Sequence, residues 1–428
     1  MMQPPSDNGP SALAAPKGMR LHIGIFGRRN AGKSSLLNAL AGQRVSIVSD
    51  TAGTTTDPVE KAMELPPLGP VLLIDTAGLD DEGELGALRT EKTRQAMDRT
   101  DLALIAAPAD AWGSAEEELA EEFIRRRTPF VAVFTKGDLG RADNNAQASL
   151  LARGHAAVIV STATGNGMDE LRLALIDKAP ESAFDNRPVA SDLVGRGETA
   201  VLVTPIDKEA PKGRLILPQV QTIRDLLDGQ AISLVTTAET LPGALAALNA
   251  PPKLVITDSQ AFQEVSAIVP GTIPLTSFSI LFSRLKGDLA EQAAGAAAVD
   301  RLKPGDRVLI AEACAHHAVE DDIGRVKIPR WLSAKAGGAL NFDHCQGRDF
   351  PEDLTPYALV VHCGACTFNR RGMLSRIQTC KNQGVPISNY GLVIAAAKGI
   401  LERALAPFPE ALERFRRQKL SSAQNEAS

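Results

Sequence analysis

The stretch LHIGIFGRRNAGKSS, residues 21–35, decides the fold. An apolar strand runs directly into Gly27-Arg28-Arg29-Asn30-Ala31-Gly32-Lys33-Ser34, which fits G-x-x-x-x-G-K-[ST] in the strand-then-helix setting that gives this pattern its meaning. The glycines let backbone N–H groups curl around phosphate oxygens. Lys33 supplies a point charge for β- and γ-phosphates, and Ser34 offers a hydroxyl to Mg²⁺. Asn30, Ala31, Gly32, Lys33, Ser34 and Ser35 are therefore the expected contacts to a nucleotide.

Working outward, VLLIDTAG, DLALIAA, FVAVFTKGD and AAVIVSTA continue an alternation of apolar strands and amphipathic segments to about residue 178. Such alternation predicts a mostly parallel sheet covered by helices. Pro180 and SAFDNRPVAS then read as a linker. From about residue 187, one or two apolar strands, Gly/Pro turns and a helix make a module short enough to need a partner surface, either a second copy or a neighbouring domain. The alternation returns with LVIT, RVLIAEA, YALVVHCG and VPISNYG. The expected class is α/β: a disordered leader over 1–18, a P-loop domain with a parallel-type sheet over 19–180, a small α+β dimerisation module over 187–262, a second α/β domain over 263–412 and a tail over 413–428.

Composition narrows the function. A net charge of −5 without clustered Lys and Arg argues against nucleic acid as a partner, and 4% aromatic residues argue against base stacking. No apolar run approaches the ~20 residues that span a bilayer. The leader lacks the apolar core of a signal peptide, so the cytoplasm is the expected location. Five Cys is an odd number, and their clustering near His in a cytosolic chain favours metal ligation over disulfides.

Later elements bear on the base. Asp75-Thr76-Ala77-Gly78 ends a strand, where the carboxylate can hold Mg²⁺ through water and the Gly78 N–H can meet a γ-phosphate. Thr135-Lys136-Gly137-Asp138 ends another. An acceptor-only carboxylate suits guanine, whose N1–H and 2-amino groups are both donors. Ser161-Thr162-Ala163 follows the last strand and can offer an N–H to the guanine O6. The order and spacing of these elements resemble the small GTPases of the translation-factor class, especially the tRNA-modification and Era-like branch. That resemblance implies GTP and GDP as ligands, with Lys33, Thr55, Asp75 and Gly78 as the catalytic parts. It also implies Mg²⁺ on Ser34 and on Thr54 or Thr55 of the switch segment, and K⁺ held by Asn30 in place of an arginine finger. Two residues depart from it. Thr135 stands where Asn is commoner, which implies weaker buttressing, and Leu79 stands where Ras-like proteins have a water-orienting Gln, which implies slow turnover.

The stretch VVHCGACTFNR, residues 360–370, carries the second constellation. Cys363 and Cys366 can reach one metal centre, His362 precedes them, and Cys314-Ala315-His316 ends the strand RVLIAEA. Both groups fall at carboxyl ends of expected parallel strands, where open α/β sheets bind ligands. Three thiolates and two imidazoles suit zinc or an iron–sulfur cluster. His344-Cys345, in a polar stretch read as a loop, is the substitute ligand pair, and Cys380 reads as a helix-packing thiol. An Era-like GTPase followed by C-x-H…H-C-x-x-C resembles the iron–iron hydrogenase maturation GTPases, HydF, over residues 20 to 410. This resemblance implies a 4Fe–4S cluster on Cys314, Cys363 and Cys366, with His316 or His362 at an exchangeable fourth position. It further implies a transient di-iron precursor as cargo, radical-SAM maturases and apo iron–iron hydrogenase as partners, and a homodimer. Two other readings are a GTPase of tRNA modification or ribosome assembly with a structural zinc domain, and a redox enzyme using the cluster for electron transfer. The acidic chain counts against the first and the GTP loop against the second.

Overall fold

All six residues of Leu21–Phe26 are buried, so they form β1 in the interior of a sheet rather than at its edge. The computed structural model describes residues 16–42, 59–66, 68–76, 84–139, 144–180, 187–205, 215–313, 322–347, 349–365 and 368–426. The chain divides into two units, Met1–Asp185 and Asn186–Ser428.

In the first unit β2 (Val59–Leu65), β3 (Gly69–Asp75), β4 (Leu102–Pro108), β5 (Phe130–Thr135) and β6 (Ala156–Ile159) join β1 in the order β2-β3-β1-β4-β5-β6. Every pairing is parallel except that of β2 with β3. The sequence VEKAMEL gave no strand signal because β2 is an edge strand, mostly accessible and half charged. Ile25 pairs with Asp75, which brings the end of β3 beside the loop that follows β1.

His22 lies within β1 at 2% exposure. Its Nε2–H donates to the Lys17 carbonyl at 3.1 Å, while Nδ1 meets no partner among the described residues. Burial outweighs that bond and lowers the imidazole from 6.5 to about 4. The unfolded chain therefore takes up a proton that the folded unit refuses. This contribution to stability is fully present above pH 6.5 and is lost as the pH falls toward 4, by on the order of 3 kcal/mol. His22→Gln is expected to flatten the pH dependence of the first unit's Tm across that window in calorimetry. An unaltered slope in the variant would refute the assignment.

The second unit holds two sheets. β7 (Thr199–Val203), β8 (Ile232–Thr236), β9 (Leu254–Thr257) and β10 (Leu275–Ser277) lie in the order β10-β9-β7-β8. β11 (Arg307–Glu312), β12 (Asn341–Gln346), β13 (Leu359–His362) and β14 (Ile387–Asn389) lie in the order β12-β11-β13-β14. Both sheets are parallel throughout.

The α/β class holds, with three differences from the sequence reading. The middle module is parallel α/β rather than α+β, and it does not end at residue 262. β10 pairs with β9, and the helix Phe278–Lys286 follows directly. A three-residue strand is too short to announce itself, and LVIT reads the same in either sheet. The stretch with His344 and Cys345 is a strand, not a loop; as an edge strand it leaves polar residues accessible while Cys345 is 8% exposed. The stretch expected as a tail from 413 continues the helix Pro409–Glu426, whose Ala411 and Phe415 share one face and are buried. That helix packs on Leu289–Ala296. Leader residues 1–15 lie outside the described residues. Among the described residues no helix is long and apolar enough to cross a membrane.

Candidate nucleotide site and metal centre

Gly27 opens the loop after β1 at φ +143°, and a Cβ there would stand 2.2 Å from the Ala106 carbonyl oxygen, so only glycine fits. Asn30 follows at φ +60°, with its side chain exposed, and Gly32 leads into the helix Lys33–Ala41. Lys33 is 8% exposed and donates from Nζ to the carbonyls of Gly27 at 2.9 Å and Arg28 at 2.7 Å, across the mouth of the loop. Ala31 is buried beneath the loop, whereas Ser34 and Ser35 are exposed on the first turn of the helix.

Ser34 Oγ donates to Asp75 Oδ2 at 2.6 Å. Asp75 Oδ1 is buried without a hydrogen-bond partner among the described residues. Burial raises the Asp75 pKa against the opposing pull of Ser34 and Lys33. A hydroxyl and an orphaned carboxylate oxygen facing the loop fit Mg²⁺, which would supply the missing contact and neutralise phosphate charge.

The departure at Thr135 leaves the buttress in place. Its hydroxyl lies 2.7 Å from the Ala31 carbonyl and 3.0 Å from that of Ala107, tying the loop to β5 and β4. Lys136 turns the chain at φ +56°, the Gly137 N–H donates to the Val160 carbonyl, and Asp138 is left exposed. Ser161 Oγ donates to Asp138 Oδ1 at 2.6 Å and so fixes that carboxylate. Thr162, next in line, is half-buried. Thr54, Thr55 and Gly78 lie outside the described residues. No sequence pattern marked Glu116, fully buried in the helix Ser114–Arg125, which holds Arg28 at 2.7 Å and takes the Gly113 N–H at 3.0 Å.

In the second unit β11 and β13 are neighbours, with Ala311 paired to His362, so both C-terminal strand ends meet at one sheet edge. The Cys363 N–H donates to the Ala311 carbonyl at 2.9 Å. The Ala313 N–H donates to Cys363 Sγ at 3.1 Å, and the Ala365 N–H approaches the same sulfur at 3.5 Å. Backbone N–H groups aimed at a cysteine sulfur fit the hydrogen bonding of an iron–sulfur cluster ligand. Ala313 immediately precedes Cys314. Cys314, His316 and Cys366 lie outside the described residues, and His362 with Cys363 alone makes no metal site among those described.

The loop after β13 is anchored from two directions. Lys286 Nζ donates to the carbonyls of Ala365 at 3.1 Å and Phe368 at 2.9 Å, while Arg370 donates to those of Leu285 and Gly287. Asn369 Oδ1 caps the helix Arg370–Asn382. His362, expected as a candidate ligand, has both ring nitrogens engaged. Nδ1–H donates to the Cys363 carbonyl at 2.9 Å, and Nε2 accepts from Arg376 at 2.8 Å. Burial, then the Arg376 charge, lowers its pKa to about 3. Cys345 and Cys380 are buried free thiols pushed up by burial to about 11 and about 12, so both keep their protons. Lys286 and Arg376 escaped the sequence reading, because helical Lys and Arg look alike whether solvated or turned inward.

Residues 22–136 match the family described as 50S ribosome-binding GTPase. Residues 189–287 match the hydrogen maturase F dimerization domain, and 290–407 the hydrogen maturase F tetramerization domain. The tRNA modification GTPase MnmE of Chromobacterium violaceum is 38% identical over 167 residues, 39% of this chain and 36% of that protein. MnmE of Bacillus thuringiensis (strain Al Hakam) is 34% identical over the same shares. The chain thus spans 36% of the length of these curated relatives. Among solved structures, an Era variant of Aquifex aeolicus bound to GDP and aluminium fluoride aligns at a TM-score of 0.33 and 21% identity, over 50% of this chain and 93% of that one.

The first unit is a P-loop GTPase domain, and two further parallel α/β domains follow it. With both maturase domains side by side behind the GTPase domain, the chain belongs to the hydrogen maturase F, or HydF, family.

Proposed function

We propose that this chain is a GTP-hydrolysing scaffold of hydrogenase maturation. It carries a 4Fe–4S cluster, receives a transient di-iron precursor made by radical-SAM maturases, and delivers it to apo iron–iron hydrogenase in the cytoplasm. The observation that supports this reading is the bond from Ala313 N–H to Cys363 Sγ, which holds Cys363 against the residue that precedes Cys314 in the sequence. Cys314, Cys363 and Cys366 would hold the cluster. The engagement of both His362 nitrogens favours His316 or an exchangeable group at the fourth position. When bound, the cluster supplies an iron able to exchange a ligand. In the GTPase domain, Lys33, Ser34, Thr54 or Thr55, Asp75 and Gly78 would bind phosphate and Mg²⁺, with Asn30 holding K⁺. Asp138, placed by Ser161, would read the guanine.

The homodimer rests on β8. This edge strand exposes Ile232 and Val235, and the helix Leu217–Asp228 beside it exposes Val220 and Leu227. An accessible apolar edge is a template for strand pairing with a second copy. Ile232→Lys is expected to shift the chain toward monomer in analytical ultracentrifugation. An unchanged sedimentation coefficient would place the interface elsewhere.

The reading as a whole is tested by anaerobic iron and sulfide analysis, followed by activation of apo-hydrogenase with Lys33→Ala. About four irons per chain support the cluster, whereas zinc in their place supports the structural-zinc alternative. A cluster-loaded Lys33→Ala protein that activates as well as wild type would remove the GTPase from the maturation step.

A further inference from the structure

None of the expected nucleotide contacts includes Glu116, yet its side chain is fully buried in the helix Ser114–Arg125. A buried carboxylate needs a cation and well-placed donors to offset its desolvation. Oε2 takes the Gly113 N–H at 3.0 Å, which caps the helix and would be served as well by a neutral acceptor. Oε1 takes the Arg28 Nε–H at 2.7 Å, and Arg28 is the cation paired with Glu116 among the described residues. Arg28 Nη2 donates to the Ala111 carbonyl, so the guanidinium fork is held at two of its nitrogens.

Arg28 is the second residue of the phosphate loop, and its backbone carbonyl accepts from Lys33 Nζ at 2.7 Å. The Gly27 carbonyl accepts from the same ammonium at 2.9 Å. Gly27 in turn lies against the Ala106 carbonyl oxygen, which a Cβ would approach to 2.2 Å. The carboxyl end of β4 and the helix after it therefore hold two consecutive loop residues, one through its backbone and one through its side chain. Those two residues are the ones whose carbonyls orient Lys33. The guanidinium, turned to Glu116, acts on the shape of the loop and leaves Lys33 to meet phosphate.

Resting on GTP hydrolysis by this domain, and independent of any metal centre, we propose that Glu116 is a positioning residue for that reaction. Through Arg28 it fixes the loop carbonyls that aim Lys33 at the phosphates. A donor aimed where charge develops in the transition state contributes more to turnover than to ground-state binding. Loosening the Glu116–Arg28 contact therefore falls on kcat before it falls on KM.

The test measures GTPase kcat, KM and Tm for the full-length chain carrying Glu116→Gln. This variant keeps the side-chain shape and an acceptor for the Gly113 N–H, but turns an amide donor toward the Arg28 Nε–H. The expected result is a kcat lower by on the order of tenfold, a smaller change in KM and a Tm close to wild type. Arg28→Met is expected to lower kcat by a similar factor, and the double variant to fall no further than either alone, because both remove one contact. A wild-type kcat in Glu116→Gln would overturn the proposal and leave the helix cap as the whole role of Glu116. Additive losses in the double variant would overturn it as well, since the two residues would then act separately. Arg28→Lys, which keeps a cation opposite the buried carboxylate, is expected to recover part of the kcat lost in Arg28→Met. It carries the test should Glu116→Gln not fold, and no recovery would count against the pairing. A wild-type chain that hydrolyses no GTP would sink the GTPase reading first, a failure visible before any variant is assayed.

Discussion

Asp138→Asn is expected to lower GTP affinity by ~10²–10³-fold and to transfer preference to XTP. The turn that presents Asp138 is rigid: Lys136 is left-handed, Gly137 is tied to Val160, and Ser161 holds one carboxylate oxygen at 2.6 Å. An acceptor fixed in this way satisfies both the N1–H and the 2-amino group of guanine through charge-assisted bonds, each worth ~1.5–3 kcal/mol. The Asn amide replaces one acceptor with a donor aimed at the 2-amino donor, so one bond is lost and a repulsion takes its place. Xanthine carries a carbonyl at that position, and the same amide donates to it. Isothermal titration with GTP and XTP on both proteins checks this. Undiminished GTP binding, or no gain for XTP, would mean that guanine is read elsewhere. Ser161→Ala should show a weaker loss for GTP without any gain for XTP, because the carboxylate remains and only its anchor is gone.

What the sequence made legible follows how local each signal is. The loop from Gly27 to Ser34 is contiguous, and its spacing alone encodes the curl of the backbone. That His362 and Cys363 stand at the end of one strand and Ala313 at the end of its neighbour was legible for a related reason. Each ends an apolar strand, and parallel strands put their carboxyl ends at one edge, where β11 and β13 are indeed neighbours. Edge strands were the weak point. VEKAMEL and NFDHCQ are half polar because one side of an edge faces solvent, and such stretches read as loops. The border of the middle module was hidden by the three residues of β10, whose place is set by pairing with β9 rather than by any pattern of their own. Side chains that work through tertiary approach were the least legible. Arg376 meets His362 across 14 positions and Lys286 meets Ala365 across 79, and no periodicity marks such pairs. Counting His362 among donors was chemically fair, but a lone pair already accepting from a guanidinium is not offered to a metal.

Cys363→Ala is expected to abolish the cluster, taking iron from about four per chain to near none, with no cluster EPR signal after reduction. In the proposed ligand set of three thiolates, Cys363 is the one whose sulfur takes the Ala313 N–H and so joins the two strand ends. The obvious substitutes are disarmed. Cys345 packs into the core with Leu309, Ala311 and Val360, and burial pushes its thiol up to about 11, so it keeps its proton and gives a poor ligand at neutral pH. Cys380 is held in the same state at about 12. His362 is occupied on both nitrogens. Cys345→Ser and Cys380→Ser are therefore expected to keep wild-type iron, with far-UV circular dichroism on all three variants confirming that the fold is intact. A Cys363→Ala protein that still binds a full complement of iron would show that the strand ends of β11 and β13 do not build the site. Loss of iron in Cys345→Ser instead would move the ligand set from the β13 loop to the β12 edge.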